Sequence, residues 1–291
     1  MALRNVPNLA GRRVVISGAA RGIGAALAAR LHERGARLAL LGLEPELLEQ
    51  VAEPLGAPWW TCDVSDRAAV DDAVDAAVTS LGGLDVVVAN AGIAAQLPMA
   101  GGDPTIMERM VSVNVLGTYY TLRAAAPHVS HPGGYALAVA SLAAAVQVPL
   151  LGAYSSSKAA VEAMGNTFRQ ELRPSGARVG VAYFSELDTD MTSRGFDTAA
   201  AKQLLKGKSI TGVTPLGVGI DAVERGIARR ARIIVAPAWV RPVLPIRMIA
   251  QHVVDVATRR GLGEVLDTAR REQVELTTAQ PEPRSTGGRS S

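Results

Sequence analysis

The sequence has 291 residues, a formal net charge of +3 at pH 7 and 48% hydrophobic residues, which suits one large α/β domain or two small ones with a substantial apolar core. It contains no dense Lys/Arg block, so we predict no nucleic-acid partner, and its single cysteine, Cys62, excludes an intramolecular disulfide and fits a reducing compartment. The opening residues lack the apolar core of a signal peptide and no apolar run is long enough to span a bilayer, so we expect a soluble cytoplasmic protein.

The first organised element is a strand followed by a glycine-rich turn and a helix. Residues 14–17 are a short apolar run of the kind found in buried parallel strands. The turn leads into an Ala/Leu-rich helix over residues 25–34. Glycines let the backbone approach a pyrophosphate, whose charge meets the free N–H groups of the helix start. We therefore predict a dinucleotide cradle, with a tight turn that binds no ligand as the alternative. Its residues are Gly18, Arg21, Gly22, Ile23 and Gly24.

The second strand, residues 38–41, bears on the choice of cofactor. A carboxylate that binds the adenosine ribose is expected at its end, about 20 residues beyond the glycines. That position is Gly42-Leu43, with Glu44 two residues late. Without an acid there a 2′-phosphate is not repelled, and Arg21 in the glycine turn is placed to pair with it. We therefore predict NADP or NAD, with a preference for NADP, although Arg21 is equally explained as a solvated loop residue.

Helices and strands continue to alternate. We predict a helix over residues 46–55, a short strand over 59–61 and a helix over 66–81. Cys62 follows the short strand and is interpreted as a small buried residue rather than a reactive thiol, since no His or Lys neighbours it in sequence. Asp63-Val64 comes next, at the end of that strand.

A fourth strand, residues 85–89, ends in the tripeptide Asn90-Ala91-Gly92. A helix over about residues 105–126 then carries Asn114. Asparagine is a mediocre residue for a helix interior, because its amide competes for backbone groups. Asn114 is therefore either an ordinary polar residue at a turn or the site of a local helix distortion.

The stretch from Ser141 to Lys158 carries the acid–base groups. Tyr154 and Lys158 are four residues apart, so on a helix they share one face. A phenol with a pKa near 10 is a poor acid–base catalyst at neutral pH. An ammonium about 5 Å away, at an effective dielectric of about 20, favours the phenolate by roughly 3 kcal/mol, which lowers the phenol pKa by about two units. Ser141 is expected to end a strand and offer its hydroxyl to the same cleft. An ordinary exposed Tyr/Lys pair is the alternative.

Taken in order, these motifs resemble those of the short-chain dehydrogenase/reductase family, in its branch of roughly 250 residues, over about residues 11–236. The resemblance implies an α/β Rossmann fold, a doubly wound parallel sheet with the cofactor at the carboxyl ends of its strands. It implies that Tyr154 is the general acid/base, that Ser141 hydrogen-bonds the substrate oxygen and that Lys158 holds the nicotinamide ribose while lowering the pKa of Tyr154. Asn114 would distort its helix to seat a relay water.

The resemblance also implies further cofactor contacts. Asp63 and Val64 match an adenine-contacting pair, Asn90-Ala91-Gly92 match the segment beneath the adenosine ribose, and Thr189 matches the residue that holds the nicotinamide carboxamide. One turn departs from the family pattern. Where relatives carry Pro-Gly after the sixth strand, this chain has Phe184-Ser185-Glu186, and Glu186 is interpreted as a solvated loop carboxylate rather than a site residue.

We therefore predict an NAD(P)-dependent oxidoreductase that interconverts a secondary alcohol and a ketone, with an apolar small-molecule substrate and no metal. A redox-silent dinucleotide sensor or scaffold is one alternative. Loss of a member of the tetrad formed by Asn114, Ser141, Tyr154 and Lys158 would favour it, but none of the four is lost. A sugar-nucleotide epimerase is another, but its glycine spacing differs. By similarity the helix after Lys158 pairs subunits, so a homodimer or homotetramer is expected.

The C-terminal part extends beyond the resemblance. We divide the chain into a Rossmann-fold domain (1–236), a helical extension (237–276) and a disordered tail (277–291), with a polar substrate lid over 191–213. The extension carries an apolar helical stripe, which must be covered. We predict that it walls an apolar substrate cleft; packing on the same domain or on a neighbouring subunit is the plainer alternative, and membrane-surface attachment is the least favoured. The stripe comprises Ile246, Ile249, Ala250, Val253, Val254 and Ala257.

Overall fold

The structure, a computed structural model, describes residues 8–195, 198–205, 209 and 211–280. The strands of this part of the chain are β1 (Arg13–Ser17), β2 (Arg37–Gly42), β3 (Trp59–Thr61), β4 (Val86–Ala89), β5 (Tyr135–Val139), β6 (Arg178–Phe184) and β7 (Ile233–Ala236). They form one parallel sheet in the order β3-β2-β1-β4-β5-β6-β7. The strand order reverses direction at β1, which makes that point the switch point of a doubly wound sheet, where ligands bind.

Helices cover both faces of this sheet, as its near-continuous apolar strands require. Within the described residues they are α1 (Gly22–Glu33), α2 (Pro45–Ala52), α3 (Arg67–Leu81), α4 (Pro104–Met110), α5 (Gly117–Val129), α6 (Gly152–Glu171), α7 (Asp190–Gly195), α8 (Ala199–Leu205), α9 (Leu216–Arg229), α10 (Val240–Val243), α11 (Arg247–Thr258) and α12 (Leu262–Ala269).

The core is divided into two layers by the alternation of side chains along the strands. Val14 and Ile16 of β1 pack in a layer with residues of α1 and α9. Val15, between them, packs on the other face with residues of α3, α5 and α6. The predicted doubly wound α/β fold is confirmed. The helix that carries Tyr154 and Lys158 is α6, and it lies on the face of the sheet that Val15 packs against.

The helix predicted over residues 105–126 is interrupted. After α4 the chain forms a wider π-helical turn over Val111–Leu116 and returns to regular helix in α5. Asn114 lies inside this turn and is fully buried. Of the two interpretations of Asn114, the structure therefore has the local distortion. Wide turns of this kind are common at functional sites.

The C-terminal extension wraps the side of the domain that contains α6. Arg247 on α11 donates two hydrogen bonds to Glu162 of α6, at 3.1 and 3.2 Å. One turn further on, the Gln251 amide accepts from the Gln147 N–H at 2.7 Å and donates to the Gln147 carbonyl at 3.1 Å. These two ties hold α11 against α6 and against the loop that follows Ser141.

The extension also holds part of the predicted lid. Val265 and Ala269 of α12 pack on Ala200 and Ala201 of α8. Glu272 accepts hydrogen bonds from the N–H groups of Ala199 and Ala200, at 2.6 and 3.1 Å, which satisfies donors at the start of α8. Residues 196–197, 206–208 and 210 of the predicted lid lie outside the described residues.

The predicted disordered tail differs from the structure at its beginning. Thr277 is buried, and its N–H donates a hydrogen bond to the Ala94 carbonyl at 3.1 Å. Residues 281–291 of that tail lie outside the described residues. In the part of the chain that the structure does describe, no helix is both long and apolar enough to cross a membrane.

Candidate active site and dinucleotide groove

The carboxyl ends of the strands open into one cleft of about 750 Å³, within the range of about 300–1,000 Å³ that is usual for small-molecule sites. All the predicted site residues line it except Gly24 and Asn114. Those two lie directly behind its wall. A Cβ atom on Gly24 would come within 2.2 Å of the Gly18 carbonyl oxygen, and the Asn114 amide backs Gly92 as described below.

The glycine turn has the shape that a dinucleotide requires. Gly18 has φ +65°, and a Cβ there would come within 2.6 Å of the Ala91 Cα, so the turn lies against the end of β4. Gly22 also has a positive φ, +55°, but a Cβ there would meet nothing closer than Thr189 at 3.9 Å. The N-cap residue of α1, Arg21, makes no side-chain cap bond. The helix start therefore presents its backbone to open space in the cleft, which fits a pyrophosphate group.

Asn90 and Asp63 build the walls of this groove. The Asn90 amide donates hydrogen bonds to the carbonyl oxygens of Ser17 and Gly18, both at 3.1 Å, and so fastens the end of β4 to the glycine turn. Asp63 accepts from the N–H and hydroxyl of Ser65, at 2.9 and 2.7 Å. Cys62, before it, is buried, and burial raises the pKa of its thiol to about 12, which agrees with the interpretation of a small buried residue.

Arg21 is not a solvated loop residue and is not free to meet a phosphate. Its Nε and Nη2 atoms both donate hydrogen bonds to the carboxylate of Glu44, the first at 2.9 Å. Its Nη1 atom lies 3.7 Å from an Asp190 carboxylate oxygen. The carboxylate that follows β2, Glu44, is therefore paired with Arg21 at the edge of the groove. The sequence reasoning missed this pairing.

Tyr154, Ser141 and Lys158 meet at the other end of the cleft. The Ser141 hydroxyl lies close enough to the Tyr154 phenol to lower its pKa, and it donates a hydrogen bond to the Phe184 carbonyl at 3.4 Å. Lys158 lies one turn away on α6, with Nζ 5.8 Å from the Tyr154 ring centroid, and donates a hydrogen bond to the Val139 carbonyl at 3.0 Å. Tyr154 and Lys158 are only 8% and 4% exposed, so the alternative of an exposed helix pair is wrong.

Asn114 supports this group from behind. Its Oδ1 atom accepts from the Ile93 N–H at 2.8 Å, and its Nδ2 atom donates to the Ile93 carbonyl and the Ser157 hydroxyl, both at 2.9 Å. A Cβ on Gly92 would lie 3.2 Å from both Asn114 Oδ1 and Lys158 Nζ. The wide turn thus joins the end of β4 to α6, with glycine where the two come closest.

The ionisation of the pair differs from the sequence-based expectation. Burial raises the pKa of Tyr154, and the nearby Ser141 hydroxyl lowers it by less. Burial also lowers the pKa of Lys158 to about 8. The expectation that Lys158 lowers the pKa of Tyr154 considered only the attraction between the charges. In the structure the cost of removing the phenolate from water dominates.

This perturbation predicts how stability depends on pH. Between about pH 8 and pH 10.5 the unfolded chain binds a proton at Lys158 that the folded chain has lost, so the contribution of Lys158 to stability rises with pH in that window. In denaturant titrations without cofactor, the free energy of unfolding of the unmodified protein minus that of Lys158→Met should rise by about 2 kcal/mol from about pH 7 to about pH 10.

Met248→Leu, a change at an exposed position that alters no titratable group, provides the control for this measurement, and the same difference for it should stay constant over the range. A difference for Lys158→Met that is flat or falls with pH would contradict the lowered pKa of Lys158.

The turn after β6 closes the cleft in a way the sequence did not predict. Glu186 accepts hydrogen bonds from the hydroxyls of Ser209 and Thr211, at 2.6 and 3.3 Å, so it ties the far end of the predicted lid to the sheet instead of standing in solvent. Ser185 lines the cleft, and its buried hydroxyl has no hydrogen-bond partner among the described residues. Thr189 lines the cleft opposite Gly22.

Beyond the tetrad the cleft is apolar, and the C-terminal extension supplies much of its outer wall. All members of the predicted stripe except Ala257 line it. Trp239, Val243 and the segment 277–280 also contribute, which the sequence reasoning missed because these residues are remote in the chain and carry no motif. Further apolar lining residues come from the loop between Ser141 and Tyr154 and from α7, among them Leu142, Val146, Val148, Leu151 and Met191.

Comparison with known proteins identifies the family. A family model described as short chain dehydrogenase matches residues 12–200, more than half of the chain. The chain belongs to the short-chain dehydrogenase/reductase family. The predicted family and oxidoreductase class are thereby confirmed, while the roles of the individual site residues stay predictions.

This short-chain dehydrogenase is similar to curated relatives. It is 36% identical over 201 residues to glycine betaine reductase of Emericella nidulans, a match that covers 67% of this chain but 16% of that relative. It is 32% identical over 196 residues to L-2,3-butanediol dehydrogenase of Corynebacterium glutamicum, covering 61% of this chain and 76% of the relative.

Two solved structures share the fold. A short chain dehydrogenase from Burkholderia cenocepacia in complex with NADP is 28% identical, with a TM-score of 0.70, and the match covers 78% of this chain and 97% of that one. A short chain dehydrogenase/reductase from Burkholderia phymatum in complex with NAD is 23% identical, with a TM-score of 0.74 and coverage of 87% and 97%.

Proposed function

We propose that this short-chain dehydrogenase interconverts a secondary alcohol and a ketone, with NAD(P)(H) bound in the groove and Tyr154 moving the hydroxyl proton. The observation that carries the proposal is the meeting of Tyr154, Ser141 and Lys158 in the same cleft as a glycine turn that fits a dinucleotide. The solved relatives with NADP and with NAD support the cofactor class. When bound, the dinucleotide supplies or accepts the hydride.

The protein's part is proton transfer and positioning. In the direction of reduction, the Tyr154 phenol donates its proton to the substrate oxygen, and Ser141, whose hydroxyl lies beside that phenol in the cleft, orients the same oxygen. Burial keeps the phenol protonated until transfer, because it raises the pKa of Tyr154. At neutral pH Lys158 carries a proton, since its pKa is about 8, and the ammonium stabilises the phenolate that forms. Oxidation runs the same steps in reverse.

A substrate panel tests the reaction class. Secondary alcohols and ketones of increasing size are incubated with each dinucleotide, and reduction or oxidation of the nicotinamide is followed by its absorbance. We expect turnover with at least one substrate pair. Dinucleotide binding without turnover across the panel would favour the redox-silent sensor instead.

For the cofactor, the geometry supports NAD(H) rather than the NADP(H) favoured by the sequence. The preference for NADP depended on Arg21 being available to a 2′-phosphate. Arg21 is engaged by Glu44 and lies near Asp190, so a phosphate there would face two carboxylates and one guanidinium. Like charges at such distances disfavour binding. Glu44 is at the same time placed to accept a hydrogen bond from a ribose hydroxyl.

The substrate is proposed to be bulky and apolar at the end that meets the C-terminal extension. Ile249 and Val253 on α11 are 66% and 61% exposed although both line the cleft. Apolar side chains at the mouth of a cleft gain free energy when an apolar ligand covers them, by about 25 cal/mol per Å² removed from water.

A substitution at the base of α11 tests this wall. Arg247→Met removes the partner of Glu162, which is 9% exposed, and a buried carboxylate left without its partner is costly. We expect α11 to loosen, so that KM for a bulky apolar alcohol rises about tenfold, a loss of about 1.4 kcal/mol of binding. The kcat for a small alcohol and the affinity for NAD(H) should be nearly unchanged.

The conservative variant Arg247→Lys keeps the charge, so its KM for the bulky alcohol should return most of the way to the unmodified value. An equal rise in KM for small and bulky alcohols would show that α11 does not form the substrate wall.

Assembly and location stay predictions. A homodimer or homotetramer is proposed by similarity for the surface of α6, and a cytoplasmic location by the composition and the single cysteine.

A further inference from the structure

Residues 277–280, which we name the C-terminal strap, lie in the cleft itself. Thr277 is 6% exposed and is held by two hydrogen bonds to Ala94: its N–H donates to the Ala94 carbonyl and its hydroxyl accepts from the Ala94 N–H, both at 3.1 Å. Thr277, Thr278 and Gln280 line the same cleft as the glycine turn. Upstream, Val274 and Leu276 pack against the core, so the strap starts from a fixed point.

The far end of the strap reaches the opposite side of the groove. Ala279 and Gln280 line a smaller cavity together with residues 43–47, which follow β2. Ala94 follows β4. Since β1 lies between β2 and β4 in the sheet, a segment that contacts the loops after both strands crosses over the turn after β1, and that turn is the glycine turn.

The length of the strap agrees with this route. Neighbouring strands lie about 4.8 Å apart, so β2 and β4 are separated by about 10 Å. Four extended residues at about 3.3–3.6 Å each span that distance. Residues 43–44 lie where the adenosine ribose is recognised in folds of this type, so the crossing is on the adenosine side of the cleft.

We propose that the C-terminal strap closes the groove over the adenosine half of the dinucleotide, and that the cofactor enters and leaves only when the bonds between Thr277 and Ala94 open. The strap forms the outer wall, opposite the glycine turn, and offers the Thr278 hydroxyl and the Gln280 amide oxygen to the ribose and adenine. The Gln280 Nε2 group is hydrogen-bonded to the Thr278 carbonyl at 3.1 Å. The proposal depends on the dinucleotide binding in the proposed function, but not on the substrate or on the role of Tyr154.

The test measures how fast bound NADH and NADPH leave the protein, by stopped-flow fluorescence after displacement with excess oxidised dinucleotide. A chain ended at Leu276 lacks the strap, whereas a chain ended at Gln280 keeps it and serves as the matched control. We expect the dissociation rate constant to rise by at least about tenfold for the chain ended at Leu276, because two hydrogen bonds no longer hold the groove shut. The chain ended at Gln280 should match the full chain.

A point variant covers the case in which the shorter chain does not fold. Thr277→Val keeps the shape of the side chain but leaves the Ala94 N–H without its acceptor, and should accelerate release by several-fold. Thr79→Val, the same change at an exposed position on α3 away from the cleft, should release dinucleotide at the unmodified rate. Hydrogen exchange at the amides of Ala94 and Thr277 should slow when dinucleotide binds.

Release that is equally fast with and without the strap, from chains that still bind dinucleotide, would overturn the strap alone. A full chain that binds neither NADH nor NADPH would overturn the proposed function and the strap together.

Discussion

Tyr154→Phe is expected to lower turnover by about a hundred- to ten-thousand-fold, the usual contribution of a positioned acid–base group. The phenyl ring fills the same buried site, so only the hydroxyl group, which is the proposed proton donor, is removed. The affinity for NAD(H), measured by fluorescence titration, should stay within a few-fold of the unmodified value. A fall in kcat with an unchanged dissociation constant would locate the loss in the chemical step.

The matched control is Tyr119→Phe, the same change at an exposed position on α5. It should leave kcat and KM unchanged. If Tyr154→Phe retained half the activity, Tyr154 would not be the proton donor. If the unmodified protein and the Tyr154→Phe variant both bound dinucleotide and neither turned over any member of the substrate panel, the sensor alternative would gain support.

Glu44→Gln is expected to raise the affinity for NADP(H) by at least about tenfold and so change the cofactor preference. In the unmodified protein the Glu44 carboxylate occupies two of the donor atoms of Arg21, and we expect NAD(H) to bind more tightly than NADP(H). The amide keeps the shape of the side chain but removes the negative charge, which frees Arg21 for a 2′-phosphate. A hydrogen bond to a charged group contributes about 1.5–3 kcal/mol, or roughly ten- to a hundredfold in affinity.

Two further variants isolate the cause. Adding Arg21→Ala to Glu44→Gln should abolish the gain for NADP(H), because the phosphate then has no cation. Glu49→Gln removes an exposed acid from α2, the helix that follows Glu44. It should change the affinity for neither NAD(H) nor NADP(H), and it controls for net charge. Tighter binding of NADP(H) than NAD(H) by the unmodified protein would restore the preference inferred from the sequence.

The fold could be predicted because its signals are local. The β-branched runs of β1 and β4, the glycines of the first turn and the alternation of strand and helix are each visible in a short window, and together they specify a doubly wound parallel sheet. The helix α6 could be found for the same reason, since the spacing of Tyr154 and Lys158 determines that they share one of its faces. The unusual position of Asn114 also showed in its neighbourhood, as an amide inside a helical pattern.

The errors arose where one residue depends on another that is distant in the chain. Arg21 and Glu44 are separated by the whole of α1 and β2, so the sequence showed an available arginine and a late carboxylate but not their pairing. The pKa of Tyr154 depends on how deeply the phenol is buried, and burial is a property of the packed domain rather than of the Tyr-x-x-x-Lys spacing. Thr277 belongs to a polar, Pro- and Ser-rich segment that reads as disordered, because no local pattern shows that Ala94 will satisfy its backbone.

The sequence by itself determined the architecture, the family and the glycine turn, and it indicated which residues are candidates for acid–base chemistry, because hydrophobic periodicity and residue spacing act over one or two turns of chain. Only the tertiary structure decided which charges are paired, which groups are buried and how the C-terminal extension and its strap lie on the cleft. Those features arise from contacts between segments as far apart as Ala94 and Thr277, and the desolvation and electrostatic free energies that control them are set by the neighbours that folding brings together.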